Sequence, residues 1–131
     1  MKVLGIETSA AAASAAVAEN SKVISEAYIN IGLTHSQTLM ELIDDCLRRA
    51  NTSISEIDAI AVTSGPGSFT GVRIGIATAK GLAEPLNIPC ISVSTLQAIA
   101  YPLMGTGCIA AAVMDARCNQ VYSAAFLCQN H

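Results

Sequence analysis

The feature that most constrains this chain is a glycine-rich segment between an apolar strand and an apolar helix. Residues 58–63 carry few polar side chains, a pattern typical of a strand in a sheet that helices cover on both faces. The next twelve residues, 64–75, contain four glycines. A helix follows to about Leu86, where Pro85 and Pro89 are expected to stop it. This order predicts an α/β fold.

The apolar pattern of residues 1–104 predicts one complete lobe with a mixed sheet and the element order βββαβαβα. Three short apolar runs within the first thirty residues, with turn residues at Asn20–Ser21, indicate a three-stranded antiparallel meander. A short strand at residues 90–93 follows the long helix. Ser94 or Thr95 then begins another helix, which is expected to end before Pro102.

Residues 35–50 have the pattern of an amphipathic helix, and Thr34 or Ser36 can cap its start. Its apolar residues recur at spacings of three and four: Leu39, Met40, Ile43 and Leu47. On its other side we predict two i,i+4 ion pairs: Asp44 with Arg48, and Asp45 with Arg49.

Residues 105–131 are predicted to begin a second lobe after a break at Gly105–Gly107. Two apolar runs, 109–114 and 121–127, indicate strands joined through residues 115–119. Because two strands do not make an independent domain, we expect this second lobe to be incomplete, as in a shortened chain. Unpaired strand edges would then be free to associate with another copy.

Composition excludes several function classes. The net charge is −3, and the seven Lys and Arg residues are scattered, so direct binding to tRNA is not expected. None of the five cysteines has the two-residue spacing of zinc or redox pairs, which favours reduced thiols in the cytoplasm. No secretory leader or membrane-spanning run is predicted.

The helix after the glycine-rich segment is apolar almost all round, so either its own domain buries it or another chain covers it. Glycines one turn apart, Gly71 and Gly75, would allow a second helix to approach closely. We hypothesise that this helix and the helix at 35–50 form a protein-docking surface, and burial within its own domain is the alternative. The predicted partner-binding residues are His35, Leu39, Ile43, Val72, Gly75, Ile76 and Ala79.

A strand, a glycine turn and a helix start can also bind phosphate, because free backbone N–H groups meet the positive end of the helix dipole. The segment, however, lacks the Gly-Lys-Ser/Thr of a P-loop and the glycine spacing of dinucleotide sites. The structural interpretation is a tight turn that lets the helix pack closely. The motif residues are Ser64, Gly65, Pro66, Gly67, Ser68, Phe69, Thr70, Gly71 and Arg73.

This motif, together with residues 5–9, residues 115–117 and Val121–Tyr122, closely resembles the TsaB (YeaZ) family over the whole chain. The resemblance implies an actin-like ATPase (ASKHA) fold of two ribonuclease-H-like lobes. It also implies a non-catalytic accessory subunit that binds TsaD and supports threonylcarbamoyl transfer to adenosine of tRNA. TsaE would join through the complex, and a homodimer would form when TsaD is absent.

The resemblance to TsaD has one departure of chemical importance. TsaD carries a His-x-x-x-His pair for a metal, whereas here His35 is followed four residues later by Leu39, and the other histidine is His131. No metal site, catalytic residue or cofactor is therefore expected, and ATP or ADP would bind only in the complex. The alternatives are an ATP-binding or ATP-hydrolysing actin-like enzyme, with Thr8, Ser9 and Asp115 at the nucleotide, or an inactive glycopeptidase-like homologue.

Overall fold

The computed structural model describes residues 1–32 and 34–129. Its seven strands and three helices follow the predicted order, and short 3-10 turns lie at Ile54–Glu56 and Tyr101–Leu103. The elements are β1 (Lys2–Glu7), β2 (Ala13–Glu19), β3 (Lys22–Ile29), α1 (His35–Arg49), β4 (Ala59–Thr63), α2 (Phe69–Leu86), β5 (Cys90–Val93), α3 (Thr95–Ala100), β6 (Ile109–Arg117) and β7 (Gln120–Leu127).

The first five strands form one mixed sheet in the order β3-β2-β1-β4-β5. Strands β1, β2 and β3 pair antiparallel, which confirms the meander, and Asn20 and Ser21 adopt the positive φ angles of a tight turn. Strands β4 and β5 extend the sheet in parallel with β1. The carboxyl ends of β1, β4 and β5 therefore meet at one edge.

Helices α1 and α2 pack on the same face of this sheet. Leu4 of β1 lies beside Ile60 of β4 in the register, and both belong to one buried cluster with Ile43 of α1 and Ala79 of α2. The predicted burial of β4 on both faces is confirmed. Ala59 and Thr63, which alternate with Ile60 and so lie on the opposite face, are 3% and 6% exposed, and Ala61 between them is half-buried.

The amphipathic pattern of α1 is confirmed, with one exception. Leu39 and Ile43 are each 1% exposed, whereas Met40 is 47% exposed and points away from the sheet. Thr34 is the N-cap, and its backbone N–H donates to the Gln37 side chain at 3.3 Å. The buried face also includes Leu42 and Cys46, which the predicted spacing left out.

Of the two predicted ion pairs of α1, Asp45 with Arg49 is confirmed, and Asp45 also takes the place of Asp44 as the partner of Arg48. Asp45 binds both Arg48, at 2.6 Å, and Arg49, at 2.7 Å, and the predicted pair of Asp44 with Arg48 does not form. The hydrogen bond from Arg48 is the main cause that holds the pKa of Asp45 below its ordinary value, and Arg49 adds to it. Asp45 is the more sheltered carboxylate and lies within reach of both guanidinium groups.

The end of α2 is set by a different residue from the one predicted. Pro85 lies inside the last turn of the helix, and Asn87 ends it in the left-handed conformation, with its N–H donating to Ala83 and Glu84 carbonyl oxygens. A proline near a helix end loses one backbone hydrogen bond, whereas asparagine readily takes the left-handed cap.

Strands β6 and β7 form a separate two-stranded sheet. Strand β6 extends to Arg117 and β7 begins at Gln120, so the turn is Cys118–Asn119, and Asp115 and Arg117 belong to β6 and not to a five-residue connection. One face of this hairpin packs on α3 in a cluster with Leu96 and Ala100. Helix α3, which the prediction assigned to the first lobe, thus packs mainly on the hairpin.

None of the helices in the described part of the chain combines the length and the hydropathy needed to cross a bilayer.

Neighbouring residues of α1 offer a test of the packing. We expect Leu39→Ala to lower the free energy of unfolding by about 2–5 kcal/mol, because it removes a fully buried side chain from the main core. Met40→Ala should change it by about 0.5 kcal/mol or less. Urea unfolding followed by circular dichroism measures both values, and equal losses would contradict the orientation of α1.

Candidate functional site at the glycine-rich turn

The glycine-rich turn packs directly on the end of β1. The Ser68 N–H donates to the Ser9 carbonyl oxygen at 2.6 Å. Gly67, at φ +159, lies so close that a Cβ there would overlap the Ser9 backbone. The Ser68 side chain then caps α2 by accepting from the Gly71 N–H. The turn therefore places the start of α2 against residues 8 and 9.

Two glycines inside α2 continue this contact. A Cβ at Gly71 would overlap the Thr8 carbonyl oxygen, and a Cβ at Gly75 would overlap the Thr8 hydroxyl. The hydroxyl of Thr8, which is fully buried, donates to the Gly71 carbonyl oxygen at 2.8 Å. Gly71 and Gly75 thus make room for Thr8, just after β1 of their own chain, and not for the second-chain helix that the sequence suggested.

A cleft of about 770 Å³ opens beside this contact. Its walls come from the loop after β1, the start of α1, the glycine-rich turn and the tip of the β6–β7 hairpin. Ser9, His35, Asp115 and Arg117 are among its polar lining residues. The cleft therefore brings together residues of both sheets that are far apart in the sequence.

Most polar groups of the cleft already have partners in the chain. The Glu7 carboxylate accepts hydrogen bonds from the Ser9 hydroxyl and the Ser9 N–H. His35 Nε2 is 2.9 Å from the Ala10 carbonyl oxygen. Asp115 accepts from the Arg117 N–H at 2.7 Å. These contacts fix the shape of the cleft.

The structure separates the three residues of the nucleotide alternative. Ser9 and Asp115 line the same cleft, although Ser9 itself is 1% exposed. The Thr8 hydroxyl is buried and bonded to Gly71, so it is not available to a ligand.

The predicted docking residues fall into two groups. His35, Val72 and Ile76 are partly exposed. Leu39, Ile43, Gly75 and Ala79 are buried in the chain's own core and cannot contact a partner directly. The apolar periodicity of the sequence identified the apolar residues of each helix, but it did not indicate which of them face the sheet.

No group of three or more potential metal ligands occurs among residues 1–32 and 34–129. His35 is engaged with the Ala10 backbone, and the position four residues later is the buried Leu39. His131 lies outside the described residues.

A second cleft, of about 590 Å³, adjoins the first, and Gly67, Phe69 and Tyr122 line both. It runs between Gly65–Gly67, Phe69 and Arg73 on one side and Tyr122 of β7 on the other. The Arg73 guanidinium carbon lies 4.9 Å from the centre of the Phe69 ring, a cation–π geometry. Phe69 and Arg73 belong to the predicted motif, whereas Tyr122 is brought to them only by the tertiary structure.

Residues 22–129 match the model of the family described as TsaD: tRNA N6-adenosine threonylcarbamoyltransferase. The chain belongs to this family. Its fold is accordingly the TsaD-like, actin-like ATPase type of α/β fold with a mixed sheet.

Within this family the chain is similar to TsaB (YeaZ) proteins along nearly its whole length, which confirms the resemblance of its motifs. It is 38% identical over 129 residues to the tRNA threonylcarbamoyladenosine biosynthesis protein TsaB of Escherichia coli, and covers 55% of that relative. It is 33% identical over 130 residues to TsaB of Bacillus subtilis, and covers 57% of it.

A solved structure of YeaZ from Pseudomonas aeruginosa superimposes with a TM-score of 0.87 at 35% identity. The match covers 98% of this chain and 61% of that structure. The chain thus spans a little over half the length of the family members it resembles.

The packing of Gly75 on Thr8 predicts opposite effects for two glycines of one helix. Gly75→Ala should lower the free energy of unfolding by about 1–3 kcal/mol, because its methyl group must displace a buried hydroxyl. Gly81→Ala, where nothing lies within 4 Å, should raise it by about 0.5–1 kcal/mol. Thermal or urea unfolding distinguishes the two.

Thr8→Ala should partly relieve the Gly75→Ala variant, since the remaining Thr8 Cβ is 3.5 Å from the new methyl position. The double variant is expected to lose less stability than the sum of the single variants, by about 0.5–3 kcal/mol. Strict additivity would refute this contact.

Proposed function

We propose that this chain is a non-catalytic accessory subunit that binds TsaD and supports threonylcarbamoyl transfer to adenosine of tRNA. Its similarity to chains named threonylcarbamoyladenosine biosynthesis protein supports the pathway. Because the chain spans little more than half of those relatives, the proposal concerns the contribution of this part.

The outer surface of α1 and α2 is the observation that carries the proposal. Both helices lie on one face of the sheet and share one core. Because they also contact each other, their outward-facing sides lie next to each other. Met40 on α1 and Ala77 on α2 are exposed there, while Val72 and Ile76 are half-buried. An exposed surface with apolar and small side chains, flanked by charges, has the composition of a protein interface.

The likeness to TsaD itself favours pairing through equivalent faces. The match to the TsaD family model covers α1 and α2. A partner of that family would therefore have helices equivalent to α1 and α2. Two similar subunits can then associate about a pseudo-twofold axis, with the same helix faces in contact. A second copy of this chain would use the same surface when TsaD is absent.

The remaining parts of the proposal follow from this assembly. TsaE would join through the complex, and ATP or ADP would bind only there. A net charge of −3 supports tRNA binding by the partner and not by this chain. A cytoplasmic location fits a tRNA-modifying assembly.

The nucleotide alternative rests on the 770 Å³ cleft between the glycine-rich turn and the hairpin. Ser9 and Asp115 line it together with Ser68, Phe69 and Thr70 at the positive end of α2. Calorimetric titration of the isolated chain with ATP and magnesium tests this alternative. Saturable binding would favour an actin-like nucleotide-binding role over a purely accessory one.

A matched pair of alanines tests the docking surface. Ala77→Glu on the outer side of α2 should weaken binding to the TsaD homologue of the same organism by about tenfold or more, because it introduces a charge into the buried centre of the interface. Ala98→Glu changes an exposed alanine of α3 and should bind within about twofold of the unmodified chain.

Calorimetry or interferometry with immobilised TsaD measures the two affinities, and the yield of threonylcarbamoyladenosine in a reconstituted reaction should fall in parallel for Ala77→Glu. Equal affinities for the two variants would count against α1 and α2 as the docking surface.

A further inference from the structure

The packing of the glycine-rich motif explains its glycines but leaves Phe69 and Arg73 without a role inside the chain. Gly71 and Gly75 face Thr8, just after β1, whereas Phe69 and Arg73, also four residues apart, lie on the outer side of α2. Phe69 is 75% exposed, although it begins a helix whose inner face is fully packed. The Arg73 guanidinium rests over its ring at 4.9 Å and makes no ion pair with any described residue.

These two side chains form one wall of the 590 Å³ cleft, and Tyr122, which is 38% exposed, lies on the other side. Residues Gly65–Gly67 supply peptide groups between them. Aromatic residues and arginine around a partly enclosed space are the composition that dominates binding energy at protein interfaces. Stacking on Phe69 also reduces the side-chain entropy that Arg73 would lose on binding.

The charge that the lining of this cleft itself supplies is positive. Arg73 is the one charged side chain among the described residues that line it. The start of α2, which adds the positive end of an 18-residue helix, lies at the same place. A group that fills this cleft must therefore offer a negative charge to Arg73 and apolar surface to Phe69 and Tyr122.

We propose that this cleft receives an acidic side chain and an adjacent apolar side chain from a segment of the partner protein. The inference rests on the proposed accessory function and extends the α1–α2 surface at the first turns of α2 to include the hairpin residue Tyr122. A peptide segment fits better than RNA, because one arginine in a chain of net charge −3 offers too few phosphate contacts for a nucleic-acid backbone.

Affinity for the TsaD homologue of the same organism tests the cleft. Arg73→Glu should weaken binding by about tenfold or more, and Phe69→Ala by about fivefold or more, because each removes one wall of the site. Arg73→Lys keeps the charge but loses the planar guanidinium that stacks on Phe69. Its affinity for the partner should therefore lie between that of Arg73→Glu and that of the unmodified chain. Added salt should reduce the affinity of the unmodified chain more than that of the double variant Phe69→Ala/Arg73→Ala.

Lys22→Glu is the control for charge, since it makes the same charge reversal at the exposed first residue of β3, at the opposite end of the sheet. Its affinity should stay within about twofold of the unmodified chain. Thermal unfolding of each variant identifies any loss of folding. Substitutions at Phe69 and Arg73 are expected to leave the melting temperature unchanged, because both side chains are exposed.

The outcomes separate the two proposals. If the unmodified chain binds its partner and Arg73→Glu and Phe69→Ala bind equally well, the cleft is not the contact, while the accessory function stands. If the unmodified chain does not bind at all, both proposals fail. Binding of tRNA alone that is abolished by Arg73→Glu would overturn the peptide assignment in favour of a nucleic-acid ligand.

Discussion

The close approach of α2 to the end of β1 is the contact on which the rest of the structure depends. Gly67 and Gly71 leave room for the Ser9 and Thr8 backbone, Gly75 leaves room for the Thr8 hydroxyl, and that hydroxyl donates to the Gly71 carbonyl oxygen. Since any Cβ at these positions would overlap atoms of Thr8 or Ser9, the helix could not lie this close with other residues. Its distance from the sheet fixes the position of the glycine-rich turn, and with it the walls of both clefts.

This packing assigns the small residues of α2 to the interior and the remainder of the helix to the outside. Gly71, Gly75, Ala79 and Ala83 form an inner ridge that rests on the sheet and beside α1. The outer side is then left with Phe69 and other residues that no part of the described chain covers. A motif that looks like one unit in the sequence thus has two physical roles: its glycines permit packing and its larger residues are displayed.

The second sheet depends on a different cluster. Strands β6 and β7 pack on α3 through small side chains such as Ala110 and Ala112, while Ile109 and Leu127 on the other face are exposed. The hairpin tip nevertheless reaches the glycine-rich turn, where Tyr122 and Asp115 complete the two clefts. Both clefts therefore depend on how two separate cores are placed beside each other.

The sequence by itself determined the element order, the meander, the amphipathic α1 and the family, because apolar periodicity, turn residues and the glycine-rich motif are local signals. It could not determine which side of α2 faces inward, since a helix that is apolar nearly all round has no unique buried face. Only the tertiary structure placed Leu39, Ile43, Gly75 and Ala79 in the core, left Met40 outside, and brought Tyr122 opposite Phe69. These facts depend on contacts between residues distant in the chain, and a pattern along the chain does not contain such distances.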